Sequence, residues 1–182
     1  MYIGDNKVSF EEHEVKGKQV KIGEESYYKI SNVNEMRPFF MSIVSYSNHW
    51  MFLSSNGGLT AGRKNAQFSL FPYYTDDKIT EFAEITGSKT ILKIESNNKT
   101  FLWEPFSNRF EGAYKIKRNL YKNSYGNKVI FEEVNEDLGI KFKYSWNLTE
   151  KYGFVKKSTL SNISKENKIV EVLDGLQNLL PF

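Results

Sequence analysis

Apolar positions along this chain come in short runs, some alternating with polar residues and some continuous, with Gly, Asn, Asp and Ser clusters between them. Such spacing is the pattern of an all-β chain. It predicts strands over residues 27–31, 39–46, 50–54, 67–74, 90–95 and 100–103. Further strands are expected over 110–120, 128–134, 140–148, 154–161 and 168–173. Turn signals fall between them at SNGG (55–58), TGS (86–88), SNN (96–98), YGN (125–127) and KYG (151–153). Stretch 140–148 has the cleanest period of two. Phe142, Tyr144, Trp146 and Leu148 share one face, while Lys141, Lys143, Ser145 and Asn147 share the other. The first face belongs in a core; the second is wet or covered by something polar. Helical periodicity is nearly absent, and residues 76–84 fit a short helical turn or a strand equally well. Long consecutive antiparallel strands predict stacked sheets, that is a sandwich.

Composition narrows the class. A chain of 182 residues with 40% hydrophobic and 15% aromatic content can bury a core, and one domain is the economical reading. A net charge of +3 is weak for a nucleic-acid binder, so no nucleic-acid partner is expected. There is no cysteine, which removes disulfides and thiolate chemistry, and His13 and His49 are the sole histidines. No metal site of the usual Cys/His kind is expected from that set. The first residues lack a basic region followed by an apolar run, and no stretch approaches the ~20 apolar residues that cross a bilayer. A soluble, cytoplasmic domain without a membrane partner is therefore expected. VLDGLQNLLPF gathers Leu176, Leu179, Leu180 and Phe182 into an apolar cluster, and the expectation is the front piece of a longer polypeptide.

Four kinds of chemistry are weighed against simpler roles. GGLTAGRKN (57–65) places Gly57 and Gly62 at phosphate-loop spacing. Arg63 and Lys64, however, stand where lysine and a hydroxyl are needed, and no helix is predicted next. A glycine turn that delivers Arg63 and Asn65 to a rim is the better reading, followed by the strand 67–74 and a turn closed by Asp76-Asp77. A glycosidase needs two carboxyls ~5 to ~9.5 Å apart across a bond. Neighbours on a strand point to opposite faces, so neither Asp76-Asp77 nor Glu132-Glu133 makes such a pair alone. His49, beside Trp50, is the one candidate for a mutarotase-like epimerase, and a histidine at a strand edge is more often structural. YKIKRNLYKNSYGNK (114–128) mixes basic and aromatic residues as a single-strand binder would. On a strand its lysines form a solvated face. Carbohydrate recognition remains, with Trp50, Trp103, Trp146, Tyr73 and Tyr74 as candidate sugar-facing aromatics, and Trp146 assigned to the core.

Several stretches together carry a resemblance. SNGGLTAGRKNAQFSLFPYYTDDKI, NLYKNSYGNKVIFEE, KYSWNLTEKYGFVKKSTLSN and VLDGLQNLLP resemble the amino-terminal β domain of large cellobiose-phosphorylase-like glycoside phosphorylases and hydrolases. The resemblance covers residues 27–182; residues 1–26 match nothing in it and are set apart as an extension, an added strand or loop. It implies an antiparallel β-supersandwich of the galactose-mutarotase type. It also implies a helical-barrel catalytic domain later in the same polypeptide, which would carry the catalytic acid. Oligosaccharide is then the ligand, and inorganic phosphate a co-substrate of the parent enzyme but no cofactor of this chain. The sandwich would support dimer formation and partly wall the active site. Arg63, Lys64, Asn65, Tyr74, Asp76 and Asp77 become candidate substrate-facing or interdomain loop residues, with no catalytic residue assigned. A stand-alone carbohydrate-binding module is the chief rival, and it predicts an exposed row of aromatics on one sheet face.

Overall fold

The computed structural model describes residues 2–3, 6–8, 13–45 and 47–180. Among them the chain runs through β1 (Tyr2–Ile3), β2 (Asn6–Lys7), β3 (Lys16–Ile22), β4 (Glu25–Ser31), β5 (Phe40–Ile43), β6 (His49–Ser54) and β7 (Leu59–Arg63). A four-residue helix, α1 (Asp76–Ile79), precedes β8 (Gly87–Ser96), β9 (Lys99–Trp103), β10 (Ile116–Asn123) and β11 (Lys128–Asn135). The last elements are β12 (Ile140–Thr149), β13 (Gly153–Asn162) and β14 (Ile169–Gln177). The protein is thus mostly β, with almost no helix. Its largest sheet has the order β13-β12-β11-β10-β4-β3, and two three-stranded sheets run β14-β8-β9 and β5-β6-β7. Every pairing among these strands is antiparallel.

One buried cluster joins the three sheets. β12 alternates without a break, sending Ile140, Phe142, Tyr144, Trp146 and Leu148 inward. Phe131 of β11 stacks on Tyr144 with ring centroids 4.8 Å apart. Met51, Leu53, Leu59 and Ala61 enter the same cluster from β6 and β7, and Leu92, Ile94 and Trp103 enter it from β8 and β9. Burying each large apolar side chain contributes about 1.5–3 kcal/mol, so the cluster is the main source of stability.

The structure departs from the sequence pattern in four places. Residues 59–63 are a strand and not part of a turn. The turn ends at Gly58: Gly57 takes a positive φ of 97° and its N–H reaches Ser54 O at 3.0 Å. Residues 67–74 form no strand. Ala66–Phe68 is a single 3-10 turn, Ser69 makes one isolated bridge to Gly62, and Pro72 brings no N–H to extend a ladder. Asp76 and Asp77 sit in the first turn of α1 and do not close a hairpin. The strand expected from residue 110 begins at Ile116. In addition, β3 lies within residues 1–26 and β4 starts at Glu25, so part of the stretch set apart as an extension belongs to the largest sheet. Tyr46 and Phe182, named in the expected strand 39–46 and the apolar tail, lie outside the described residues. Among the described residues no helix is long and apolar enough to cross a membrane.

Candidate functional site

The β5-β6-β7 sheet turns Met51, Leu53, Leu59 and Ala61 to the core, so alternation sends Phe40, Trp50 and Phe52 to its other face. There the rings line up. Phe40 lies 5.4 Å from Phe52, Phe52 5.7 Å from Trp50, and Trp50 5.7 Å from Tyr73, centroid to centroid. The first three rings tilt only 33° and 31° between neighbours, whereas Tyr73 meets Trp50 edge-on at 79°. Phe40 is 48% exposed and Tyr73 56% exposed; Trp50 and Phe52 between them are half-buried. Gly62 makes this packing feasible. A Cβ at that position would stand 2.5 Å from the Trp50 ring, 2.6 Å from Phe68 O and 2.9 Å from Ser69 Cα.

A cleft of about 550 Å³ opens near the start of this row: Pro38 lines it and Phe40 begins the row two residues on. Its walls carry Asn34, Asn56, Phe106, Asn108, Phe110 and Tyr114. The cleft is braced from below by Glu133, 1% exposed. Glu133 Oε1 accepts from the Trp103 indole N–H at 2.9 Å, while Oε2 accepts from Phe106 N at 2.8 Å and Arg118 Nε at 2.6 Å. Arg118 also donates to Ser107 O and Asn108 Oδ1, each at 2.8 Å. The same network holds Phe106 at φ 66°, a left-handed conformation that costs a non-glycine residue free energy. Its ring compensates by packing edge-on against Tyr144 at 5.1 Å and Phe131 at 6.3 Å. This wall is therefore fixed, not adaptable.

The residues nominated from sequence scatter. Arg63 ends β7 exposed, and alternation places it on the side of Ala61, away from Trp50. Lys64, at φ 60°, stands over the Phe68 ring at 5.3 Å. Asn65 Oδ1 accepts from Gln67 N at 3.0 Å, which caps the 3-10 turn. Tyr74 stacks on Phe82 at 4.3 Å, and Asp76 Oδ1 accepts from Asp77 N at 3.0 Å. The Thr75 hydroxyl beside Asp77 holds that carboxyl below its ordinary range. His49 Nδ1 lies 2.5 Å from Ser47 Oγ, and its ring meets Phe154 edge-on at 5.2 Å. Burial, then the nearby Arg63 charge, lowers the His49 pKa. Among the described residues no carboxylate hydrogen-bonds His49, and no group of three or more His, Cys, Asp or Glu gathers as a metal site would require.

Of the five aromatics weighed for sugar contact, Trp103 and Trp146 are core, each 2% exposed. Trp50 and Tyr73 belong to the row. Phe40 and Phe52, which complete it, escaped the sequence reading; their spacing in 39–46 and 50–54 marked strands but not a shared face. No family model matches this sequence, and no curated protein matches it.

Proposed function

We propose that this chain is a non-catalytic, carbohydrate-binding β domain of a carbohydrate-active enzyme, a glycoside phosphorylase or hydrolase. The row Phe40–Phe52–Trp50–Tyr73 is the observation that carries this reading. Sugar rings present apolar C–H faces that lie on aromatic rings, and neighbouring amide side chains fix their hydroxyls. The cleft, which reaches Pro38 two residues before Phe40, adds the amides of Asn34 and Asn108, whereas that of Asn56 is committed to Thr80 O and Ser54 Oγ. In this reading the three sheets are parts of a galactose-mutarotase-type supersandwich, a view supported by the single core they share. The covering partner is a helical catalytic domain. The exposed apolar side chains Leu102 (50%) and Leu173 (68%), which share the outer face of the β14-β8-β9 sheet, support that contact.

Isothermal titration of this chain with neutral oligosaccharides, chosen by a glycan array, tests the reading. Phe40→Ala and Tyr73→Ala remove exposed rings and spare the core. Each is expected to weaken binding about tenfold, since covering half an aromatic side chain contributes about 1.4 kcal/mol. Unchanged affinity in both variants, or no neutral ligand at all, refutes the carbohydrate row. Phosphorolysis or hydrolysis by this chain alone refutes the non-catalytic assignment.

A further inference from the structure

The largest sheet has a second face, turned away from the core, and its chemistry differs from that of the aromatic row. One cross-strand line on it reads Lys18, Lys29, Tyr121, Ile130, Ser145, Lys157. Lys141 and Lys143 fall on the same face of β12 as Ser145. Lys18 and Lys29 stand directly opposite each other, an arrangement that destabilises a sheet when nothing compensates it. Glu132 is the carboxylate set among Lys29, Lys141 and Lys143, and most of its capacity is already used. Its Oε1 accepts from Asn119 at 2.9 Å and Tyr121 at 2.7 Å, and its Oε2 lies 3.8 Å and 3.9 Å from the Lys141 and Lys143 ammonium groups. Among the described residues Lys18, Lys29 and Lys157 form no salt bridge. Burial lowers the Lys29 pKa and the Lys18 and Lys141 charges lower it further, against the pull of Glu132.

The face is also grooved. A hollow of about 290 Å³ lies along Lys18, Lys21 and Lys29, and one of about 490 Å³ lies along Lys128, Asn147 and Lys157. Both are lined by Ile130 and Lys143, so they meet and cross the sheet from β3 to β13. Strands ~4.8 Å apart put this line of lysines within about 24 Å, the length of several sugar units.

We propose that this groove binds an acidic polysaccharide, carboxylated or sulfated, as a second glycan site; the inference rests on the carbohydrate reading above. Three features favour a glycan over nucleic acid. The cations lining the groove are lysines, flexible point charges, and not the planar forks that grip phosphates in pairs. Its aromatics Tyr27, Tyr121 and Tyr144 are buried, which leaves no ring for base stacking. Ser145, Asn147 and Thr159 line it beside the lysines, and they match sugar hydroxyls.

The test is fluorescence anisotropy with labelled polygalacturonate, dextran sulfate, uncharged dextran and duplex DNA, at about 20 and about 200 mM NaCl, which span the range where screening sets in. Both acidic glycans, or one of them, are expected to bind at low salt and to lose about tenfold or more in affinity at high salt. The double variant Lys18→Gln, Lys157→Gln removes two exposed cations without salt-bridge partners, and is expected to lose about tenfold, or ~1.4 kcal/mol. Circular dichroism and the unfolding midpoint verify that it folds as the parent does. Equal binding by parent and variant, tighter binding of DNA than of either acidic glycan, or no acidic-glycan binding overturns the proposal. Neutral ligand that binds through Phe40 and Tyr73 while both acidic glycans fail overturns the groove alone. Acidic-glycan binding lost in the lysine variant, in a chain without neutral ligands, supports the groove and refutes the row.

Discussion

Glu133→Gln isolates the brace beneath the cleft. The carboxylate is 1% exposed and accepts three hydrogen bonds, from Trp103, Phe106 and Arg118. A glutamine of the same shape has one acceptor oxygen. If that oxygen faces Phe106 N and Arg118 Nε, the new NH2 group opposes the indole N–H; the flipped amide opposes the other two donors. At least one buried donor is orphaned, at about 1–3 kcal/mol. The guanidinium also loses its counter-charge in a site where its side chain is 14% exposed. Breaking one partner of a buried pair costs about 3–5 kcal/mol, and about 3 is expected here because Arg118 keeps Ser107 O and Asn108 Oδ1. With a urea m-value of about 2–3 kcal/mol/M, the midpoint should fall by about 1–1.5 M. The assay is equilibrium urea unfolding of the parent, Glu133→Gln, Arg118→Met and the double variant. The double loss should be smaller than the sum of the single losses by about 2 kcal/mol. A Glu133→Gln loss below about 0.5 kcal/mol, or additivity within that margin, refutes the claim that this pair holds the cleft wall.

Other outcomes are expected. Gly62→Val drives two branches into Trp50 and the Phe68 carbonyl, so the unfolding midpoint should fall by about 3 kcal/mol equivalent, and neutral-glycan binding should fall with it. Intact binding in a folded Gly62→Val protein would show that Trp50 is not fixed by that contact. His49 has a folded pKa below its unfolded value near 6.5, so the unfolded chain takes up the proton first. Its contribution is therefore present above pH ~6.5 and lost as pH falls through the folded pKa. Midpoints measured from about pH 7.5 to 5 should decline less steeply in His49→Gln than in the parent, and parallel curves would refute this. Phe106→Gly relieves the left-handed backbone but removes a ring from Phe131 and Tyr144. A net loss of about 2–3 kcal/mol in urea unfolding is expected, and a gain would mean that backbone strain outweighs the ring.

What could be read from the sequence followed from whether burial is one-sided. β12 declares itself because one face is core and the other wet, down to the residue. β7 does not, because Leu59, Thr60, Ala61 and Gly62 are all buried and LTAGR shows no period of two. Gly62 suggested a turn; its absent side chain instead makes room for Trp50 and Ser69. β3 fails for the opposite reason: KGKQVKI is an edge strand wet on nearly every residue. The reverse error at 67–74 arose because Phe71 reaches the core from irregular backbone. The row needed β5 and β6 in register plus the returning segment at Tyr73, and no local pattern encodes that juxtaposition. The lysines of β12 were placed correctly on the outer face, but their alignment with Lys29 and Lys18 depends on strands more than a hundred residues earlier.

The partnership of β8 and β14 sets an order of assembly. β8 is the centre of its sheet, yet one neighbour, β9, follows at once while the other comes from the far end of the chain, as the Thr90–Asp174 hydrogen bond across 84 positions shows. Contacts of that span form late, because the loop they close costs entropy before it is repaid. On a ribosome, the β8–β9 hairpin would wait with one row of amides and carbonyls open while some seventy residues are made, an interval in which a chaperone or a second nascent chain has its best chance to engage it.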